Sequence, residues 1–76
     1  MINPLLVDAL ERYVEHRIPP GSFLTAVLNN DLVGTVGRAD SHNIRMIPEI
    51  VQYCYQNLPS ICWGSPKAVE EWLKSR

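Results

Sequence analysis

Seventy-six residues allow one small domain, and an apolar content of 46% is typical of a folded protein rather than a disordered chain. Seven basic and eight acidic residues give a net charge of −1, and they form no basic cluster of the kind that follows a nucleic-acid backbone. No apolar run approaches the roughly 20 residues that span a bilayer. The N-terminal residues lack the basic flank and the long apolar run that mark a signal peptide. We therefore expect a single domain over residues 1–76 that acts in the cytoplasm without a membrane partner, and the charge distribution disfavours nucleic acid as a partner without excluding it.

The first segment predicts an amphipathic helix near residues 4–17. Asn3 is a suitable N-cap ahead of Pro4, because proline is tolerated at the first helical position. Pro19 and Pro20 end the helix, since each fixes φ and lacks a backbone donor. Apolar side chains recur at helical spacing along one side: Leu6, Leu10, Tyr13 and Val14.

A second helix is predicted near residues 22–32, with Ser22 as its N-cap after Gly21. Three polar residues at 29–31 compete for backbone hydrogen bonds, so the helix either ends there or continues irregularly through Val33 and Val36. The pattern leaves both alternatives open. The apolar stripe of this helix consists of Leu24, Val27, Leu28 and Leu32.

Two further helices are predicted near residues 41–57 and 66–75. The former is capped by Asp40 or Ser41, and Pro48 either kinks it or marks its start. The latter is capped by Ser65, after a short loop over residues 60–64. Apolar residues at alternating spacings of three and four predict a buried seam on the longer helix: Ile44, Ile47, Val51, Cys54 and Leu58. The fold class is therefore all-α, a compact bundle of about four short helices.

The apolar stripes exceed what so small a core can enclose. A chain of this size buries only about 60% of the surface that its unfolded form exposes. The stripes on the first three helices therefore need a second surface to cover them, and we expect a symmetric homo-oligomer of unspecified subunit number.

No catalytic or metal-binding pattern is evident, so we expect a protein that is not an enzyme and needs no metal or cofactor. His16, His42 and the two cysteines lack the close spacing of zinc ligands. Cys54 lies on the apolar seam, whereas Cys62 lies in a loop beside Trp63 and is the more accessible thiol. A cysteine nucleophile needs a basic partner, and the sequence supplies none in an obvious position. Both thiols are expected to be reduced.

The remaining polar features are two helix starts that each follow a glycine. Backbone donors at such a start attract anions, arginines could add charge-assisted bonds, and an aromatic ring could stack on a base. Ordinary capping and core packing is the alternative interpretation, and the residues alone favour it because helix caps outnumber anion sites. The predicted ligand-binding residues are Tyr13, Arg17, Gly21, Ser22, Arg38, Trp63, Gly64 and Ser65.

A helix-turn-helix is a further alternative. The first two helices, joined by a proline-glycine turn, superficially suit that motif. The second helix would present Thr25, Asn29 and Asn30 to a groove but no arginine or lysine, which recognition helices normally use. DNA binding is therefore the weakest of the interpretations.

Three motifs in combination resemble a group of small helical accessory proteins of tailed phages and prophages. They are IPPGSFLTAVLNNDL at 18–32, GRAD at 37–40 and CWGS at 62–65. The resemblance extends from about Leu10 to Trp72 and implies no catalytic residue. It implies action in an infected bacterial cytoplasm, where small phage proteins often antagonise host defence and some sequester nucleotide immune signals as oligomers.

We rank three possible functions for a small phage protein in an infected cell. We expect sequestration of a small anionic nucleotide first. Inhibition of a host or defence protein by direct binding is a close second, and transcriptional control by DNA binding is third.

Overall fold

The chain folds into five α-helices and one short 3-10 turn in the computed structural model, which describes residues 2–75. No strand occurs in that part of the chain, so the all-helical class is confirmed, but the expected number of about four helices is wrong. The principal extents are 34 × 23 × 19 Å. The helices are α1 (Pro4–His16), α2 (Ser22–Leu28), α3 (Leu32–Arg38), α4 (Asn43–Asn57) and α5 (Pro66–Lys74), and the 3-10 turn is Ser60–Cys62.

Helix α1 begins as predicted and ends one residue earlier. The Asn3 side chain accepts a hydrogen bond from the Leu5 N–H at 2.8 Å, and Pro4 occupies the first turn. Arg17 follows in the left-handed conformation, with φ of 58°, and its N–H bonds back to carbonyls of the last turn. A left-handed residue stops the helix before the two prolines are reached.

The predicted helix over 22–32 ends at Leu28, so the alternative in which it stops at the polar residues is confirmed, and a separate helix begins at Leu32. Asn30 is left-handed, with φ of 59°, and Asp31 caps a new helix by accepting the Gly34 N–H at 2.9 Å. The polar side chains at 29–31 therefore end α2 and start α3, as such residues do when they bond locally. The prediction that Ser22 is the N-cap of α2 is also wrong, because Gly21 occupies that position and Ser22 is the first helical residue.

Helix α3 turns its apolar residues outward. Leu32 and Val33 are 72% and 83% exposed, and Val36 is also exposed. The residue that α3 buries is Thr35, whose hydroxyl donates to the Asp31 carbonyl oxygen at 2.7 Å. The prediction that Leu32 continues the buried stripe of α2 is wrong, because the chain changes direction before it.

Helix α4 carries Pro48 in its interior, so the alternative in which this proline starts the helix is wrong. The prediction that Asp40 or Ser41 is the N-cap is wrong, because the helix begins at Asn43 with His42 as its N-cap. The Asp40 carboxylate instead accepts the N–H groups of His42 and Asn43 at 3.0 and 2.7 Å in the turn before the helix.

Of the predicted seam, Cys54 and Leu58 are buried, whereas Ile44 is 45% exposed. Ile50, which the predicted seam did not include, is completely buried. The first turn of α4 therefore extends beyond the core.

The core is built from the other four helices and the 3-10 turn. Helix α3 contributes no side chain to it, whereas α1, α2 and α4 supply most of its volume. The fully buried side chains of greatest volume are Tyr13, Leu10, Leu28, Ile50, Cys54 and Cys62.

Tyr13 connects three parts of the chain. Its hydroxyl donates to the Cys62 carbonyl oxygen at 2.6 Å, which fixes the 3-10 turn against α1. Its own carbonyl oxygen accepts the Trp72 indole N–H at 3.1 Å, which fixes α5. The Arg17 guanidinium then lies 3.6 Å from the centroid of the Trp72 ring, a cation–π contact that covers the outer side of the indole.

Both cysteines are free and completely buried, so the prediction that Cys62 is accessible is wrong. The 3-10 turn draws this side chain into the core next to α1. Burial, with the nearby Cys62 thiol as a smaller cause, raises the pKa of Cys54 from 9.0 to about 12. Burial also raises the pKa of the Cys62 thiol, although a backbone hydrogen bond and, to a smaller extent, the Arg17 charge oppose the change.

None of the helices within residues 2–75 combines the length and the apolar character needed to cross a membrane.

Replacing Trp72 with Phe should lower the free energy of unfolding by about 1–2 kcal/mol. The substitution removes the hydrogen bond to Tyr13 and weakens the contact with Arg17. The Tyr13 carbonyl still accepts the Arg17 N–H, so no acceptor is left unpaired. Urea denaturation measures the loss. The control is Trp63→Phe, which removes no side-chain hydrogen bond present among residues 2–75. An equal loss of unfolding free energy in both variants would contradict the assigned role of Trp72.

Both thiols should react with a disulfide reagent far more slowly in the folded protein than in urea. The reagent needs an exposed thiolate, and both side chains are buried with raised pKa values. The labelling rate of each cysteine is measured at neutral pH with single Cys→Ala variants. A thiol that reacts as fast as in the unfolded chain would show that it is accessible.

Stability should fall as the pH rises above about 9. The unfolded Cys54 thiol loses its proton near its ordinary pKa of 9.0, whereas the folded thiol holds its proton to about pH 12. The unfolded state therefore binds fewer protons in this window, and the free energy of unfolding falls by up to about 1.4 kcal/mol per pH unit for this group. Urea denaturation between pH 8 and 11 measures the slope, which should be shallower in Cys54→Ala.

Candidate functional site

The predicted ligand-binding residues do not form one site. The prediction that Tyr13 stacks on a ligand is wrong, because its ring is completely buried and its hydroxyl is bonded to Cys62. Arg17 lies against Trp72 and borders a separate shallow depression with Glu15. Gly21 is exposed at the start of α2. The other members divide between two cavities and a helix cap.

The larger cavity, about 390 Å³, contains Trp63 and Gly64 from the predicted set. We call it the aromatic cavity. It lies between α4, the 3-10 turn and the α2–α3 turn. Its lining residues are Asn30, Val51, Tyr55, Leu58, Ser60, Trp63 and Gly64.

Two aromatic rings form one part of this lining. The Tyr55 and Trp63 rings meet edge to face, with centroids 5.5 Å apart and planes at 86°. Such a pair is a favourable arrangement because the positive edge of one ring meets the negative face of the other. Tyr55 is nevertheless 79% exposed, so much of its ring remains free to contact another molecule.

Backbone geometry holds the cavity together across a long sequence separation. The Gly64 N–H donates to the Leu28 carbonyl oxygen at 2.7 Å, which joins the end of α2 to the segment before α5. Gly64 has φ of 106°, a conformation that favours glycine. Ser65 caps α5, as predicted, by accepting the Ala68 N–H at 3.1 Å. The IPPGSFLTAVLNNDL and CWGS motifs thereby meet in space.

The aromatic cavity is uncharged. Its lining residues supply the Asn30 amide, the Ser60 and Tyr55 hydroxyls, the Trp63 indole N–H and their peptide groups, and none of them carries a formal charge. These groups can donate and accept hydrogen bonds at the edge of a planar ligand. The surrounding apolar and aromatic surface can cover its faces.

A second, smaller cavity of about 210 Å³ brings Ser22 and Arg38 together, and we call it the polar cavity. The Arg38 guanidinium and the Asp31 carboxylate both lie beside Gly34 and are close to each other, although no hydrogen bond or ion pair joins them within residues 2–75. The Asn29 side-chain oxygen is buried and has no hydrogen-bond partner in that range. The lining residues are Ser22, Thr25, Ala26, Asn29, Asp31 and Arg38.

Tyr55 is the main residue of the aromatic cavity that was absent from the predicted ligand-binding residues. It adjoins Cys54 on α4 and therefore lies off the buried seam. An aromatic residue on the solvent side of an amphipathic helix was the available signal, although a lone exposed aromatic is common on protein surfaces. Asn30 was considered only as a helix-breaking or groove-contacting residue.

The described residues contain no group of three histidine, cysteine or carboxylate side chains that could hold a metal ion.

Comparison of the chain with protein-family models, with curated proteins and with solved structures gave no match. The geometry of the two cavities is therefore the basis for assigning a function.

Proposed function

We propose that the protein is a non-catalytic binding protein that sequesters a small nucleotide-type ligand by holding its base in the aromatic cavity. The observation that carries the proposal is the Tyr55–Trp63 pair at an open, uncharged cavity. A planar heterocycle is the ligand group that such a surface accommodates best.

The size and chemistry of the cavity support this choice. A volume of about 390 Å³ falls within the range of small-molecule sites. Stacking of a base on an aromatic side chain contributes about 1–3 kcal/mol. The Asn30 amide offers both a donor and an acceptor, as the edge of a nucleobase requires. The cavity thus combines affinity from its rings with orientation from its polar groups.

The same groups favour retention over conversion of the ligand. An amide, hydroxyls, an indole N–H and peptide groups bind a base without supplying a nucleophile paired with a general base. Both cysteine side chains are buried in the core and do not line the cavity. With the resemblance to small phage proteins, sequestration of a host nucleotide signal is the physiological role we propose.

Direct protein binding is a second candidate, favoured by α3. This helix exposes Leu32, Val33 and Val36 on its outer side, although such side chains normally face a core. The surface could join copies of the chain in the homo-oligomer we propose, or bind a host protein. Its apolar face is separate from the lining of the aromatic cavity.

Replacing Tyr55 with Ala should weaken ligand binding at least tenfold. Loss of a stacking ring on this scale corresponds to about 1.4 kcal/mol, and the exposed position of Tyr55 means that the fold should survive. Calorimetry against mononucleotides, cyclic oligonucleotides and ADP-ribose measures the affinity. Release of the ligand by denaturing the protein then shows whether it returns unaltered.

Gln52→Ala is the matched control, because Gln52 is exposed on the same helix but does not line the aromatic cavity. Its affinity should equal that of the natural chain. If Tyr55→Ala and Trp63→Ala both bind the ligand with the affinity of the natural chain, the proposed site is contradicted. The absence of binding to every probe, together with capture of a host protein that Val33→Glu abolishes, would favour the second candidate.

A further inference from the structure

We infer that the ligand crosses the turn at residues 29–31 from the aromatic cavity into the polar cavity, and that it is a ribonucleotide whose phosphate pairs with Arg38. This inference rests on the proposed function, since it takes the base to occupy the aromatic cavity. It assigns the remaining parts of the ligand to a second set of residues.

The two cavities lie at one short turn. Asn30 lines the aromatic cavity, whereas its neighbours Asn29 and Asp31 line the polar cavity. Three residues span at most about 10 Å even when extended. A base held beside Asn30 therefore has its substituents close to the side chains of the polar cavity.

The charges of the two cavities differ in a way that suits a nucleotide. The aromatic cavity has no charged lining residue, so it cannot neutralise a phosphate. The polar cavity contains the Arg38 guanidinium, which lies near the Asp31 carboxylate without forming an ion pair with it, and the hydroxyl groups of Ser22 and Thr25. A guanidinium can bind a phosphate through two parallel hydrogen bonds, and hydroxyl donors add to that recognition.

The acceptors of the polar cavity indicate a ribose. Asp31 uses Oδ1 to accept the Gly34 N–H, whereas its Oδ2 makes no hydrogen bond within residues 2–75 and lies near the Arg38 guanidinium. Asn29 has a buried side-chain oxygen without a partner. A phosphate placed directly on these acceptors would be repelled by the Asp31 carboxylate. The hydroxyl groups of a ribose are donors that they can bind, which places the sugar beside Asp31 and Asn29 and the phosphate beside Arg38.

The experiment compares three sets of probes by calorimetry at low ionic strength: the four common ribonucleosides, their 5′-monophosphates, and the corresponding 2′-deoxymonophosphates. The natural chain should bind at least one monophosphate tenfold or more tightly than its nucleoside, and more tightly than the 2′-deoxy form. Arg38→Gln should reduce the ratio of the monophosphate affinity to the nucleoside affinity at least fivefold and leave the nucleoside affinity itself unchanged. Asp31→Asn, which preserves a helix N-cap, should reduce the preference for ribose.

Arg45→Gln is the control, because Arg45 is exposed and lies outside both cavities. This variant should keep the same ratio of monophosphate affinity to nucleoside affinity as the natural chain. If nucleosides bind through Tyr55 but Arg38→Gln behaves like Arg45→Gln, the inference is wrong and the proposed function stands. If neither nucleosides nor nucleotides of any set bind, both are wrong.

Discussion

The two hydrogen bonds of Tyr13 are the constraint on which the candidate site depends. Through its hydroxyl this residue fixes the carbonyl of Cys62, and through its own carbonyl it fixes the indole of Trp72. The segment between these two contacts contains Trp63 and Gly64, which line the aromatic cavity. Because the Tyr13 side chain is completely buried, water cannot replace its hydroxyl as the donor to Cys62. A core interaction thus sets the position of a surface cavity.

The turn at residues 29–31 provides the other side of the site. Its polar residues reverse the chain direction within a very short segment. Asn30 adopts a left-handed conformation, and Asp31 caps the next helix. The hydrogen bond from Gly64 to Leu28 holds this turn against the segment before α5. Short polar residues therefore combine two roles here, since the side chains that shape the turn also line the two cavities.

The outward apolar face of α3 has a different physical origin. After the turn, helix α3 lies with Thr35 toward the protein, and the Thr35 hydroxyl is satisfied by the Asp31 carbonyl. The buried polar atom consequently costs little, and Leu32 and Val33 are left exposed. Burial of this face in an assembly would remove apolar surface from water, which is the driving force expected for association.

The sequence by itself determined the helical class and most helix ends. Asn3 with Pro4 and Ser65 with Pro66 act on backbone groups within a few residues, so their effect is readable without knowledge of the fold. Only the tertiary structure decided which side chains are buried. Tyr13 and Cys62 are inaccessible because they meet across 49 residues, and Tyr55 lines a cavity because the distant Trp63 lies against it. Spacing along a chain predicts which residues share a face, but burial depends on what that face meets, and contacts between distant segments are not encoded in local periodicity.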